Sequence, residues 1–375
     1  MDLRARLAQV PGAQGTPRDP LARLRAREPF VVTEEHLAID DLGLAVVGRR
    51  GPDAGLLAQL GLRGEAPARW EDVVFLDTET SGLAGGAGTY VFLLGTVEVG
   101  AGELVIRQHA LFDLGAERAF VEAIAASLER FRTCASYNGK RFDLPLLKDR
   151  AMLHFRATLS VDEAHLDLLH PARRWWRERA GSARLRDLED VVLADPRADD
   201  LPGDLIPRTY FTFLATQDPS LLAPIAAHNR RDLLALVRLA DHMCRAVLNA
   251  RAGRTPDDPR EALGMAVVFE KVGEKDAAAS CYAAAFHDGS SAVRRRAALP
   301  YARSLERDGE TARAIALLEQ VLTFDQEGAA SWRAQAEARL RRLLRAHHSG
   351  YRPAGARQVA ARRSASSTAS TGVLA

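Results

Sequence analysis

Residues 73–83 read VVFLDTETSGL, and their pattern orders everything around them. Four apolar residues, 73–76, stop at Asp77, and Glu79 follows two positions later. A short apolar run bounded by turn residues predicts a buried strand. The period of two along a strand puts Asp77 and Glu79 on the same face of its end. Hard divalent cations want several carboxylate oxygens converging from different elements, so this pair is half of a candidate metal site. A lone D-x-E means nothing among 49 acidic residues. The apolar strand before it and the glycine turn after it make it specific.

Downstream, the Gly-rich residues 82–88 lead into YVFLLGTVEV at 90–99, and a Gly-Ala-Gly turn leads into 103–112. Three strands with short Gly connections predict an antiparallel meander. Residues 115–130 have helical spacing, with Phe120, Ile124 and Leu128 four apart. A strand at 134–137, a helix from about Asp143, a strand at 165–169 and helices to about 247 follow. Strands first and alternating helix and strand afterwards imply an α/β domain with a mixed sheet, here given the bounds 71–250. Upstream, residues 1–70 read as a partly ordered N-terminal extension. It holds a short amphipathic helix around 20–28 and β-branched pieces (FVV, LAVVG) at 30–48, read as strands or as an extension of the next domain.

Beyond Pro256 and Pro259 the texture is helical and Ala-rich. Ala266, Phe269, Gly273, Ala278, Tyr282 and Ala285 are echoed 36 positions later by Ala302, Leu305, Gly309, Ala314, Leu318 and Val321. Small residues at helix contacts and Gly in the turn resemble tetratricopeptide hairpins. Residues 257–348 are therefore expected to be an all-α repeat domain closed by a helix near 331–347, the alternative being an unrelated helical bundle. A Ser/Thr/Ala-rich basic tail, 349–375, is expected to be disordered.

Composition limits the function classes. With 375 residues, two domains are the prior. Three scattered cysteines exclude a disulfide scaffold and a CxxC zinc site, and fit a reducing compartment. No apolar run approaches 18 residues and the start MDLRARLAQVPG has no apolar h-region, so a cytoplasmic protein without membrane span or signal peptide is expected. The formal charge is +2, which argues against a uniformly basic nucleic-acid surface. Four lysines leave 47 arginines, a bias that fits a GC-rich genome, so only clustered or well-placed arginines carry meaning.

Two further segments complete the candidate site. CASYNGKRFDLPLL, 134–147, predicts a buried strand, a turn at Asn138-Gly139 and Asp143 at a helix start. The competing reading makes Asp143 a cap favoured by the helix dipole. HNRRDLLALVRL, 228–239, puts His228 and Asp232 four apart on one helical face, with Leu233, Leu236, Val237 and Leu239 as its core side. Each piece alone is more often structural; their order is what carries the argument.

In that order the motifs resemble the DnaQ-like (DEDD) 3′–5′ exonucleases of the ribonuclease H-like fold, over residues 71–247. Within that group LDTETSGLAGGAGTYVFLLG, SYNGKRFDLPLL, HLDLLHPARRWWR and IPRTYF…HNRRDLLAL look like the YprB-like ribonuclease H domain, a branch often joined to tetratricopeptide helices. One departure is that His-type members place His five before the last Asp, whereas here the spacing is four. The resemblance implies a ribonuclease H-like mixed sheet flanked by helices. It also implies metal-dependent 3′–5′ exonuclease activity on single-stranded DNA or RNA with two divalent ions, Mg²⁺ or Mn²⁺. Asp77 would bridge both, Glu79 and Asp232 would complete the first site, Asp143 the second, and His228 would take a proton from the attacking water.

Around these residues, Thr80, Ser81 and Leu83 would face the terminal nucleotide by the same resemblance, or serve turn chemistry. Asn138 either meets a phosphate or sugar or forms the turn with Gly139. Lys140 would offer a compact charge beside the site. Asp167 competes with Asp143 for the fourth carboxylate and ranks behind it. Residues 173–187 hold six arginines around Trp175 and Trp176, a stacking-plus-charge recipe for single-stranded nucleic acid; the alternative buries the tryptophans and solvates the arginines. Residues 339–363 carry eight arginines and no acid, either an electrostatic arm or a solvated helix face running into the tail. Rival functions are a structure-selective endonuclease using the same carboxylates, and a scaffold that binds nucleic acid or a protein partner through its helical repeats.

Overall fold

The computed structural model describes residues 28–348 apart from 50, 53–54, 56, 58–59, 63, 83–87, 158, 160, 162–163, 199 and 325–329. The helix expected at 20–28 (but for Glu28), the tail from 349 and Leu83 lie outside the described residues. The chain divides into two compact units, 1–247 and 248–375.

In the first unit, β1 (Phe30–Ala38), β2 (Val73–Thr80), β3 (Val91–Val99), β4 (Glu103–Leu111), β5 (Thr133–Ser136) and β6 (Ala164–Asp167) form one sheet in the order β1-β4-β3-β2-β5-β6. β2, β3 and β4 are the expected antiparallel meander, while β2–β5 and β5–β6 pair in parallel. Parallel neighbours need crossovers. α1 (Glu117–Leu128) leads from β4 to β5, and α2 (Asp143–Phe155) from β5 to β6. The four-residue spacing of Phe120, Ile124 and Leu128 puts all three into the core. All nine residues of β3 are buried, which is why it reads as a near-continuous apolar run. α3 (Leu169–Trp175), α4 (Arg177–Ala180), α5 (Leu185–Val191), α6 (Ile206–Thr216) and α7 (Ala223–Arg251) follow β6. Tyr210 of α6 stacks on Phe92 of β3 with ring centroids 3.8 Å apart.

Upstream, one reading holds and one changes. FVV lies in β1, which pairs along all nine residues with β4, so the sheet begins well before residue 71. LAVVG, 44–48, forms turns rather than a strand. The N–H groups of Ala45, Val46 and Val47 donate to one oxygen of Asp241 on α7, at 3.0, 2.6 and 2.9 Å. One carboxylate gathering three successive N–H groups satisfies the backbone without a ladder, so the β-branched side chains do not decide the conformation.

The second unit contains α8 (Pro259–Val272), α9 (Lys275–Asp288), α10 (Ser291–Arg307), α11 (Thr311–Phe324) and α12 (Ala330–His348). The echoed non-glycine positions are buried in both copies. Gly273 and Gly309 turn the chain at φ +86° and +80°, where a side chain would be strained. The 36-residue echo is thus a repetition of helical hairpins. No helix among the described residues is long and apolar enough to cross a membrane.

Candidate active site

β2 changes character half-way. Val73–Leu76 are buried, and Asp77–Thr80 are partly exposed. Its ladder with β5 covers only Val73–Phe75, so on that side the strand edge is open where the acids begin. Asp143, at the first turn of α2, closes the edge. Its Oδ1 accepts from the N–H of Thr78 at 3.0 Å and from the Thr78 hydroxyl at 2.6 Å. The capping reading of Asp143 is therefore incomplete: the carboxylate reaches across to β2.

α7 supplies the rest. Asp77 pairs with Gly95 across β2 and β3, and the missing side chain of Gly95 leaves room for Asn229 and Leu233 of α7. A Cβ there would lie 2.1 Å from Asn229 Oδ1. On the same helix and one turn apart from each other, His228 Nε2 lies 3.7 Å from Asp232 Oδ2, while His228 Nδ1 bonds Asp200 at 2.8 Å. Arg197 joins Asp232, Asp200 and Glu189 through its guanidinium. Its side chain is only 3 % exposed, so it is a built-in counter-charge.

The electrostatics follow from crowding acids in a recess. Burial, then the charges of Asp232, Glu79 and Asp143, hold the Asp77 carboxyl well above its ordinary range, against a hydrogen bond from Asn229. Burial raises Glu79 to about 8, opposed by His228 and reinforced by Asp232 and Asp143. Burial also raises Asp143, against its bonds from Thr78. Burial works against charging His228, yet the Asp200 bond and the surrounding acids lift it to about 9. Asp200 is the reverse: burial raises it, and the bonds from His228 and Arg197 bring it down to about 2. Asp77, Glu79, Asp143 and Asp232 thus share one electrostatic neighbourhood drawn from β2, α2 and α7.

An all-oxygen, multiply acidic donor set suits a hard divalent cation. Among the described residues, no three carboxylate, imidazole or thiol side chains yet converge closely enough to hold an ion. Two of the acids are engaged elsewhere: Asp232 by Arg197 and Asp143 Oδ1 by Thr78. The donor set fits the group in its chemistry, and rotation of these side chains is what ion binding demands.

The neighbouring residues divide. Thr80 donates its hydroxyl to Gly82 O at 2.9 Å, and Ser81 Oγ accepts from Tyr90 N–H at 2.8 Å, so both hydroxyls serve the turn. Asn138 adopts φ +70° and its N–H, with that of Lys140, donates to Asp167 at 2.8 and 3.2 Å. Lys140 Nζ donates to His165 O at 3.0 Å, so this ammonium braces the loop. Asp167 also accepts from Leu169 N–H; it organises the turn, as its lower ranking anticipates. Trp175 and Trp176 require a correction. They are 1 % and 0 % exposed, with rings edge to face at 5.4 Å, and a buried ring offers no face to a nucleobase. The transfer energy of the indoles outweighs any surface role, while Arg173, Arg174, Arg177, Arg184 and Arg186 are exposed.

Sequence reasoning missed Arg197, Asp200, Gly95 and Asn229. Arg197 and Asp200 lie in an irregular segment with no periodicity to expose them. Asn229 had a signal: it precedes Leu233 by four and Leu236 by seven, a polar residue on the core stripe of its helix.

With this geometry established, comparison with known proteins is informative. Residues 74–244 match the model described as the RNase_H superfamily. This segment has the ribonuclease H-like fold. The sheet order and flanking helices described above are that fold. The chain is also 32 % identical over 266 residues to the uncharacterized protein YprB of Bacillus subtilis (strain 168), covering 67 % of this chain and 63 % of that protein.

Proposed function

We propose that the chain is a divalent-cation-dependent phosphodiesterase that removes nucleotides from the 3′ end of single-stranded nucleic acid. The observation that carries this reading is that Asp77 lies within the electrostatic reach of Glu79, Asp143 and Asp232, the four acids being drawn from β2, α2 and α7. Acids crowded this closely and only partly solvated are tolerated only if their charge is compensated. Asp77, Glu79 and Asp232 would hold one Mg²⁺ or Mn²⁺, and Asp77 with Asp143 a second. Divalent cations bound there supply charge compensation for the phosphodiester and activation of the attacking water. With cations neutralising the Asp232 and Glu79 charges that raise it, His228 would become a neutral imidazole able to take the proton from that water at Nε2, because Nδ1 is committed to Asp200. Arg197 pairs with both Asp232 and Asp200 and so couples the His228 partner to the acid on the next turn of α7. The exposed arginines of α3 and α4 supply positive potential near the phosphate backbone, with no contribution from the buried tryptophans.

The test is a degradation time course with 5′-labelled single- and double-stranded DNA and RNA, with Mg²⁺, with Mn²⁺ and with chelator. Ladder shortening from the 3′ end is expected, abolished by Asp77→Asn while thermal stability persists. Undiminished cleavage by Asp77→Asn overturns the site. Cleavage of circular or 3′-blocked substrates replaces the exonuclease reading with an endonuclease.

A further inference from the structure

A buried polar chain in the first unit ends on Asp77. Gln108 of β4 is 7 % exposed and Asn229 of α7 fully buried. Gln108 Nε2 donates to the backbone carbonyl of Ala226 at 2.9 Å and to Asn229 Oδ1 at 2.9 Å. Asn229 Nδ2 then donates to Asp77 Oδ2 at 2.9 Å and to Asp77 O at 3.2 Å. The direction of this relay is fixed by chemistry. A backbone carbonyl only accepts, so the Gln108 amide must present its NH₂ to Ala226 and, with it, to Asn229. Asn229 must then present oxygen to Gln108 and NH₂ to Asp77. The relay has room only because residue 95, opposite Asp77, is glycine.

We propose that Asn229 is a positioning residue that holds Asp77 in one orientation, engaging Oδ2 and leaving Oδ1 for the cation. This deepens the proposed function and rests on it. The bond has a second use: it joins α7, which carries His228 and Asp232, to the strand that carries Asp77 and Glu79. A single buried amide therefore sets the spacing between the two halves of the site. Partners of metal-ligating carboxylates commonly matter about 10- to 100-fold in metal affinity or activity.

The experiment is Mn²⁺ titration by calorimetry on the full chain, paired with oligonucleotide kinetics. Asn229→Ala is expected to weaken Mn²⁺ binding about 10-fold or more and to lower kcat by a similar factor. KM for the oligonucleotide should stay unchanged, because the buried amide touches no substrate. Gly95→Ala, whose methyl collides with Asn229 Oδ1 and Leu233, and Gln108→Met, which removes the donor that orients Asn229, approach the same relay from other sides. They should reproduce the loss in the same order of Mn²⁺ affinity and kcat. Circular dichroism identifies any variant that fails to fold, and the folded ones decide. Wild-type Mn²⁺ affinity and kcat in the folded Asn229→Ala or Gln108→Met protein overturns the positioning role and leaves the proposed function standing. Absence of both Mn²⁺ binding and cleavage in the wild-type protein overturns the proposed function and this inference with it.

Discussion

His228 Nδ1 and Asp200 Oδ1 are 2.8 Å apart, and this bond leaves Nε2 as the nitrogen turned toward Asp232. A carboxylate behind an imidazole fixes both its tautomer and its orientation. Asp200→Asn preserves the shape but not the charge, and is expected to lower kcat about 10- to 100-fold with KM unchanged. His228→Ala should cost about 10²- to 10⁴-fold, the usual contribution of a general base. Steady-state kinetics on a single-stranded oligonucleotide check both, and equal activity of Asp200→Asn and wild type would show that Asp200 is a bystander.

The pH dependence of stability has a definite sign. Glu79 is raised from 4.5 to about 8 by burial, so between those values the folded chain keeps a proton that the unfolded chain has released, and stability falls as pH rises. For His228 burial is outweighed by Asp200 and the other acids, and its value rises from 6.5 to about 9. Its contribution is complete below the unfolded value and is lost as pH climbs through the folded one. His109 and His242 are pushed by burial down to about 4. The unfolded chain binds their protons first, so stability is lost as pH drops from about 6.5 toward 4. Above pH 6.5 the raised carboxyls and His228 act in the same direction, so chelated protein should lose melting temperature steadily as pH climbs from 6.5 to about 9. Glu79→Gln and added Mg²⁺ should each soften the alkaline decline; identical alkaline limbs in all three samples would contradict the acidic recess.

The tryptophans and arginines of residues 173–187 separate cleanly by experiment. Trp176→Ala should destabilise by about 3–5 kcal/mol, as loss of a large buried side chain does. Trp176→Phe should leave oligonucleotide affinity unaltered. Replacing Arg173, Arg174 and Arg177 together by Ala should weaken binding and flatten its dependence on salt. Fluorescence anisotropy across a salt series reads all three results.

Asp241 holds three successive N–H groups of residues 45–47. Asp241→Ala strands those donors, two of them on the buried residues Val46 and Val47. Buried donors without partners cost about 1–3 kcal/mol each, so the urea midpoint should drop markedly with little change in slope. An unshifted midpoint would mean that water replaces the carboxylate.

Local pattern made the meander legible: apolar runs with glycine connections at 90–112 leave few other ways to fold. It could not place β1, because pairing Phe30 with Leu111 is a long-range event with no local mark. Val46 and Val47 favour strands on their own, and a carboxylate 194 and 195 positions away overrides them. At the site, Asp77, Glu79, Asp143, His228 and Asp232 each stood in a phrase with spacing: D-x-E after a strand, an acid at a helix start, a four-residue helical pair. Arg197 and Asp200 come from a segment without a period, so only the folded chain brings Asp200 to His228 and Arg197 to Asp232. Trp175 and Trp176 show the limit of composition, since stacking chemistry and core packing call for the same residues and burial alone tells them apart.

The pairing of β1 along the whole length of β4 bears on any attempt to excise the first unit. A fragment beginning at residue 71, where the strand-and-acid pattern first becomes plain, would strip β4 of its neighbour and leave a nine-residue, mostly apolar ribbon of unpaired amides at the sheet margin. Such a margin recruits other copies of itself. A soluble fragment has to start ahead of Phe30, and the residues that look dispensable from the motifs are the ones that keep the molecules apart.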